Sequence, residues 1–197
     1  MKRFTVVLTF LLFTVTHQVF SIGTVKVGYT FGGSYTQTTG NVEVSATDIG
    51  GGVSFSTELF LPLWKYFDIG AGVEYQSPRE VEIHGVSGKL GFIPLYGVAR
   101  VTMDFVPQLA AFLQARAGYN FITGNNDFAG VGIYRAELSG GLTWGLGLGF
   151  IAWKKILLEV SFSKHLAEVT IPATVIGYEK DTDVEFATFV TCLGFCF

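Results

Sequence analysis

The chain has 197 residues, 49% of them hydrophobic, with 25 glycines and a formal net charge of −3. The slight acidic excess excludes a basic nucleic-acid-binding surface. Beyond the first 21 residues, no apolar run reaches the length of a membrane-spanning helix, so a helical membrane protein is excluded as well.

The first 21 residues have the organisation of a secretory signal peptide. Lys2 and Arg3 form a positive segment, residues 4–15 are predominantly apolar and uncharged, and Val19 and Ser21 occupy the small-residue cleavage positions. An anchoring helix is the alternative, but it needs about 20 apolar residues. We therefore predict a signal peptide at 1–21 and one barrel domain at 22–197, with 11 basic and 16 acidic residues and a formal charge of −5. An exported, apolar domain without helical spans is typical of the outer membrane.

Alternation of apolar and polar residues predicts an all-β fold, an eight-stranded antiparallel up-and-down transmembrane β-barrel. The predicted strands are residues 23–33, 49–61, 67–76, 89–105, 109–122, 134–152, 156–167 and 182–197. Short turns at 62–66, 106–108 and 153–155 alternate with long polar loops at 34–48, 77–88, 123–133 and 168–181. Outer-membrane barrels have short periplasmic turns and longer outer loops, and an even strand number places both termini in the periplasm.

Aromatic residues form two predicted belts at the two ends of these strands, as in membrane proteins that span both bilayer interfaces. The belt near the short turns comprises Trp64, Tyr66, Phe67, Phe105, Phe150, Trp153 and Phe195. The belt near the long loops comprises Tyr29, Phe31, Tyr75, Tyr119, Phe121 and Tyr134.

The middle of the chain carries a resemblance to a known family. Ile93-Pro94-Leu95-Tyr96, then Arg100, and after the turn residues 117–121 resemble the small OmpA-, OmpX- and OmpW-type outer-membrane barrels. The resemblance covers the whole of 22–197 at the level of pattern and implies the eight-stranded fold. Its OmpW branch implies a port for small hydrophobic molecules. Because Pro94 has no N–H for a sheet ladder, we expect a bulge or a strand start there.

The last predicted strand places Leu193, Phe195 and Phe197 on one face. Such a strand pairs with the first strand when a barrel closes in lipid. Its terminal Phe resembles the assembly signal that the barrel-insertion machinery reads. The predicted partners are therefore outer-membrane lipid, the barrel-assembly machinery and periplasmic chaperones. Cys192 and Cys196 would lie about 13 Å apart on this strand, too far for a disulfide, and are predicted to be free thiols on one side.

An eight-stranded barrel has an interior that side chains just fill, so the inward residues decide between a plug and a pore. Alternation places a predicted charge network there, with a structural or a gating role: Lys26, Glu58, Glu74, Arg100, Arg116, Arg135, Glu137 and Glu159. Unpaired buried charges are costly, so we expect these groups to pair and to plug the lumen. A gated polar path or a ligand pocket is the alternative. The glycines at 141–149 leave space for it, but they also leave space for long arginine side chains.

Catalysis and cofactor binding are not predicted. Ser163, His165 and Glu168 lie close in sequence, but the His-x-Ser-Asn pattern expected of lipid A deacylases is absent. The glycines at 145–149 precede no helix and are not a phosphate loop, and residues 124–127 are explained by turn chemistry. We expect no metal site and no cofactor.

The sequence therefore predicts an integral outer-membrane barrel with a charge-plugged lumen and a structural or interaction role. Its functional surface is expected in the long extracellular loops, whose partner the sequence does not identify. A narrow channel or port for small hydrophobic or polar solutes is the alternative interpretation, and a lipid A-modifying enzyme is the third.

Overall fold

The computed structural model describes residues 22–39, 42–83, 86–129, 137–171 and 180–197. These residues form nine strands: β1 (Ile22–Thr39), β2 (Val42–Ile49), β3 (Gly52–Trp64), β4 (Phe67–Ile83), β5 (Val86–Val106), β6 (Leu109–Ala129), β7 (Glu137–Ala152), β8 (Ile156–Ile171) and β9 (Lys180–Cys196). Among the described residues, no helix is long and apolar enough to cross a membrane. The predicted signal peptide lies outside them.

The strands close into an antiparallel barrel with eight strand positions around its circumference. From β3 to β9 each strand pairs with the next, and β9 returns to β1, where Thr24 lies opposite Cys196. β2 and β3 together occupy one strand position, because both pair with β1 in the same register: Gly33 lies opposite Ile49, and Thr30 lies opposite Gly52. Only Gly50 and Gly51 separate the two pieces. The predicted eight-stranded barrel is confirmed.

The strands are longer than the sequence predicts. β1 continues to Thr39, β4 to Ile83, β6 to Ala129 and β8 to Ile171, and β2 occupies residues predicted as loop. The predicted long loops at 34–48, 77–88 and 123–133 are therefore wrong over most of their length, and the loop at 168–181 is wrong at its two ends, 168–171 and 180–181. These extensions carry polar residues on both strand faces, so the hydrophobic alternation that predicts a strand is missing. Backbone pairing does not need that alternation.

Pro94 causes neither a bulge nor a strand start, contrary to expectation. β5 runs through it, and Pro94 lies opposite Asn120 in the ladder with β6. Its effect falls on the β4 side, where the pairing passes from Val73–Leu95 to Gln76–Phe92 without a bridge at Pro94. Because Pro94 has no N–H, it cannot donate to the ladder with β4, whereas the pairing of β5 with β6 continues.

The barrel is apolar outside and polar inside, as the alternation predicts. β3 shows the pattern most simply, with buried and exposed residues alternating from Gly52 to Phe60. Of the predicted aromatic belts, Phe67 is half-buried and Tyr134 lies outside the described residues. The remaining belt residues have exposed side chains: Trp64, Tyr66, Phe105, Phe150, Trp153 and Phe195 towards the turns, and Tyr29, Phe31, Tyr75, Tyr119 and Phe121 towards the opposite end.

The turn between β7 and β8 holds two residues in a left-handed conformation. Trp153 has φ of 50° and Lys154 has φ of 61°, and the Lys155 N–H donates to the Ala152 carbonyl oxygen at 3.0 Å. Two positive φ angles match the twist of a tight hairpin, where Asn and Gly are preferred. For other L-residues this conformation costs roughly 1–2 kcal/mol.

Lys154→Gly is therefore expected to raise the free energy of unfolding by about 1 kcal/mol, because glycine adopts positive φ without strain. Urea unfolding of the refolded protein in detergent micelles measures the change. Lys155→Gly is the matched control, since Lys155 does not have positive φ. An equal gain from both substitutions would contradict the assignment of strain to Lys154.

Candidate functional site in the barrel lumen

The alternation that makes the outside apolar directs charged side chains into the lumen. Lys26 of β1 is the central cation. Its Nζ lies 2.7 Å from Glu58 Oε1 and 2.8 Å from Glu159 Oε2. Both carboxylates are fully buried, and Lys26 is 1% exposed. One ammonium group thus joins β3 and β8 across the interior.

Glu58 accepts more hydrogen bonds than any other described lumen carboxylate. Besides Lys26, its oxygens accept from Arg100 Nη2 at 3.0 Å, from the Tyr96 hydroxyl at 3.1 Å and from Thr24 Oγ1 at 3.3 Å. A buried carboxylate is stable only when its desolvation is offset by such contacts. Each of these four donors is itself buried, so Glu58 fixes the position of side chains from β1 and β5.

Arg100 lies at the end of this group that is nearest the turns. Its guanidinium carbon lies 3.8 Å from the centroid of the Phe60 ring and 4.7 Å from that of Phe112. The flat cation is thus held against two aromatic faces, an arrangement that stabilises a desolvated guanidinium. Its Nη2 also donates to Gln114 Oε1 at 2.9 Å, and Gln114 Nε2 donates to Glu159 Oε1 at 2.9 Å.

Arg116 extends the group away from the turns. Its Nη1 lies 3.1 Å from Glu74 Oε2, and its Nη2 lies 3.1 Å from Glu159 Oε1. Glycines of β7 make room for it: a Cβ at Gly145 would lie 3.3 Å from Arg116 Nε, and one at Gly147 would lie 2.8 Å from Glu159 Oε1. The glycine face of β7 therefore accommodates the side chains of its neighbours.

We call these eight side chains, drawn from six strands, the lumen network. Its members are Lys26, Glu58, Glu74, Tyr96, Arg100, Gln114, Arg116 and Glu159. Every member is at most 8% exposed. Three cations meet three carboxylates, so the network is balanced in charge.

An aromatic layer lies on the side of the network away from the turns. Phe92 stacks on His165 with ring centroids 5.2 Å apart and an interplanar angle of 7°, and it also packs against Phe186 at 5.0 Å. Gln76 connects this layer to the network, because its Nε2 donates to Glu74 Oε1 at 3.0 Å and lies 3.3 Å from His165 Nε2. The layer thus lies next to the network inside the lumen.

Two cavities lined by described residues border the network. Beside Glu74, Arg116 and His165 there is a space of about 10 Å³. That is the size of one water molecule at most. At the turn end, below Arg100, an open vestibule of about 580 Å³ is lined by Lys65, Asp68 and Asp104 among others. The vestibule therefore ends at the network.

The structure brings six of the eight predicted lumen residues together. Arg135 lies outside the described residues, and for Glu137 only the strand position is described. The predicted set omits Tyr96 and Gln114 of the network, and it also omits Gln76 and Arg79 beside it. Tyr96 shares the parity of Arg100 on β5, so the alternation could have found it, whereas Arg79 was assigned to a loop.

Of the residues considered for catalysis, Ser163 and His165 are not hydrogen-bonded to each other, and the Glu168 side chain lies outside the described part of the structure. Ser163 and His165 are both buried and face the lumen. The two ring nitrogens of His165 contact Thr143 Oγ1 at 2.9 Å and Gln76 Nε2 at 3.3 Å. His165 therefore has other partners than Ser163, and it lies inside the barrel, away from any lipid substrate.

The two cysteines are free and buried in the lumen wall, as predicted. Within the described residues, no three His, Cys, Asp or Glu side chains are grouped in a way that would hold a metal ion.

Comparison with known proteins identifies the fold. No family model matches the chain, and no curated protein matches it by sequence. Among solved structures, the outer membrane protein OprG from Pseudomonas aeruginosa is similar with a TM-score of 0.57 and 11% identity, covering 91% of this chain and 97% of that chain. The outer membrane protein AlkL is similar with a TM-score of 0.52 and 13% identity, covering 89% and 90% of the two chains. The chain thus has the fold of the small outer-membrane β-barrels.

Proposed function

We propose that this chain is an integral outer-membrane barrel whose lumen is closed by the lumen network. Its role is then structural or lies in interactions made outside the lumen. The observation that carries the proposal is the set of five ion pairs between fully or nearly fully buried groups of the network.

The outer surface supports the membrane location. Large apolar side chains point outward from β1 and from each strand between β3 and β9, among them Phe55 (55% exposed), Leu113 (60%) and Leu142 (65%). Soluble monomers rarely expose continuous apolar patches of more than a few hundred Å². Lipid removes this cost, and a closed barrel leaves no unpaired strand edge in it.

The energetics of the network support a closed lumen. An ion path must pass Lys26, Glu58 and Arg100, whose charges already satisfy one another. Separating a buried ion pair costs several kcal/mol for each partner that is left buried and unpaired. The aromatic layer of Phe92, His165 and Phe186 would have to move as well.

Export, membrane insertion and any binding of an extracellular partner would involve parts of the chain outside the described lumen. Residues 1–21 direct export as a signal peptide, both termini lie in the periplasm, and the barrel-assembly machinery and periplasmic chaperones are the partners during insertion. An extracellular partner would bind the connections at the end away from the turns. The engagement of His165 by Thr143 and Gln76 supports a non-enzymatic role.

Planar-bilayer recording tests the closed lumen. The refolded wild-type protein is expected to give no steady single-channel openings. The double variant Glu74→Ala/Arg116→Ala removes two ion pairs, Glu74–Arg116 and Arg116–Glu159, and enlarges the space beside His165. It is therefore expected to conduct more than the wild type. A shift in gel mobility between heated and unheated samples confirms that both proteins are folded.

Steady openings of the wild type would overturn the closed lumen and favour a channel. Equal silence of the two folded proteins would mean that the Glu74–Arg116 pair is not part of the obstruction.

A lateral port for small hydrophobic molecules is a second candidate, favoured by one observation. The β4–β5 pairing lacks a bridge at Pro94, and the small cavity lined by Glu74 and Arg116 adjoins this position. If the wild-type protein gives no channel openings, faster uptake of a hydrophobic fluorophore into vesicles that contain it would favour the port. Uptake no faster than into protein-free vesicles would exclude it.

A further inference from the structure

The described part of the lumen contains one buried cation more than buried carboxylates. The lumen network is balanced, with three of each. Arg79 of β4 lies on the side of the lumen network away from the turns, and its side chain is 3% exposed. Within the described residues, no carboxylate lies at salt-bridge distance from Arg79, and its Nη2 donates to the neutral Gln76 Oε1. A buried guanidinium without a counter-charge is costly.

Two of the three Arg79 nitrogens have no hydrogen-bond partner. Nε and Nη1 are both buried and unpaired. Leaving charged donors unsatisfied costs more than leaving neutral ones, so a partner is expected. Water can satisfy the hydrogen bonds, but it does not compensate the charge.

The surroundings of Arg79 supply further unpaired polar atoms. A Cβ at Gly52 would lie 3.1 Å from both Cγ and Nε of Arg79, so the side chain crosses a position that only glycine leaves open. Thr30 lies directly opposite Gly52, and the Cβ positions of such partners are about 4.5–5.5 Å apart. Thr188 is the diagonal neighbour of Thr30, two residues from its partner Val190. Both threonine hydroxyls are buried without a partner.

We propose that Arg79, together with the neighbouring hydroxyls of Thr30 and Thr188, binds one small oxyanion of the carboxylate class. The charge argues for an anion with about one negative charge, because one negative charge balances the described lumen. The donors argue for an oxyanion, because two N–H groups and two hydroxyls can all donate to carboxylate oxygens. The size of the barrel interior restricts the ligand to a small group.

Formate is the probe for this site. The protein is refolded in detergent micelles with ¹⁵N-labelled arginine, and the Arg79 Nε–H signal is identified by its loss in Arg79→Gln. Titration with sodium formate, with sodium fluoride keeping the ionic strength constant, is expected to move this signal saturably. Formamide, which has a similar shape and no charge, is expected to leave it in place. Thr30→Val is expected to weaken formate binding about fivefold, the effect of one hydrogen bond.

Stability gives an independent readout. Without formate, Arg79→Gln is expected to raise the urea midpoint, because it removes an uncompensated charge. With formate, the wild-type midpoint rises and that of Arg79→Gln does not. Lys164→Gln is the control, since Lys164 is a half-exposed cation paired with Glu185, and formate should still stabilise this variant.

The proposal fails if the Arg79 signal shows no saturable response, or if formamide moves it as much as formate does. It also fails if Arg79→Gln lowers the midpoint while formate has no effect on the wild type. That result would mean that the guanidinium is already satisfied within the protein. None of these outcomes bears on whether the lumen network conducts ions.

Discussion

Glu58→Ala is expected to lower the free energy of unfolding of the barrel by about 3–5 kcal/mol, the range observed when one partner of a buried ion pair is removed. The substitution leaves Arg100 without a carboxylate, because its other polar partner is Gln114. It also removes the acceptor of the Tyr96 hydroxyl. Lys26 is affected less, since Glu159 still lies 2.8 Å from its Nζ.

Urea unfolding in detergent micelles, followed by tryptophan fluorescence, measures this loss. Glu185→Ala is the matched control. Glu185 also pairs with a cation, Lys164, at 2.5 Å, but its side chain is 40% exposed. Exposed pairs contribute only about 0–1 kcal/mol, so the control should be nearly neutral.

A double-mutant cycle separates the pair from the general cost of truncation. Arg100→Met should cost several kcal/mol in the wild type and clearly less in the Glu58→Ala background, because the cation is then no longer paired. Equal costs in both backgrounds would show that Glu58 and Arg100 do not stabilise each other. A loss below about 1 kcal/mol for Glu58→Ala would contradict the buried network itself.

The sequence predicts the facing of the lumen residues because of a simple geometric property of strands. Successive side chains point to opposite faces, so an apolar exterior fixes which residues are inside. Lys26, Glu58 and Arg116 could be placed in the lumen on this basis. The fold needs little more than this pattern and the number of strands.

The pairing of these groups could not be predicted in the same way. Glu58 lies 32 residues from Lys26, whereas Glu159 lies 133 residues away. Which acid meets which base depends on the register of six strands and on where β7 leaves space. The alternation shows on which side of the barrel wall each side chain lies. It does not show how far along the barrel axis a side chain lies relative to those of other strands.

Arg79 shows a second limit. It stands in a polar segment where neither strand face is apolar, and such segments read as loops. β4 continues through it because backbone pairing with β5 persists, with Arg79 opposite Leu90. The residue with the most unusual environment in the lumen is thus one that the hydrophobic pattern hides.

Phe197→Ala is expected to reduce the fraction of protein that folds into a closed barrel at least severalfold. Phe197 and Gly23 exchange two backbone hydrogen bonds, from Gly23 N to Phe197 O at 2.8 Å and from Phe197 N to Gly23 O at 2.9 Å. The Phe197 ring covers Gly23, since a Cβ there would lie 2.5 Å from two ring atoms. An aromatic ring over a strand glycine holds the β1–β9 seam in register, and Phe197→Ala removes that cover.

Gel mobility of unheated samples after refolding into lipid vesicles measures the folded fraction. Phe195→Ala is the matched control, because Phe195 is also an exposed aromatic residue of β9 but lies opposite Val25, which has its own side chain. Gly23→Val tests the same contact from the other strand: its side chain excludes the Phe197 ring, so it should reproduce the defect. Because the two substitutions remove one contact, combining them should add little to either alone. Additive defects would show that the Phe197 ring and Gly23 act independently, and that the β1–β9 seam depends on backbone pairing alone.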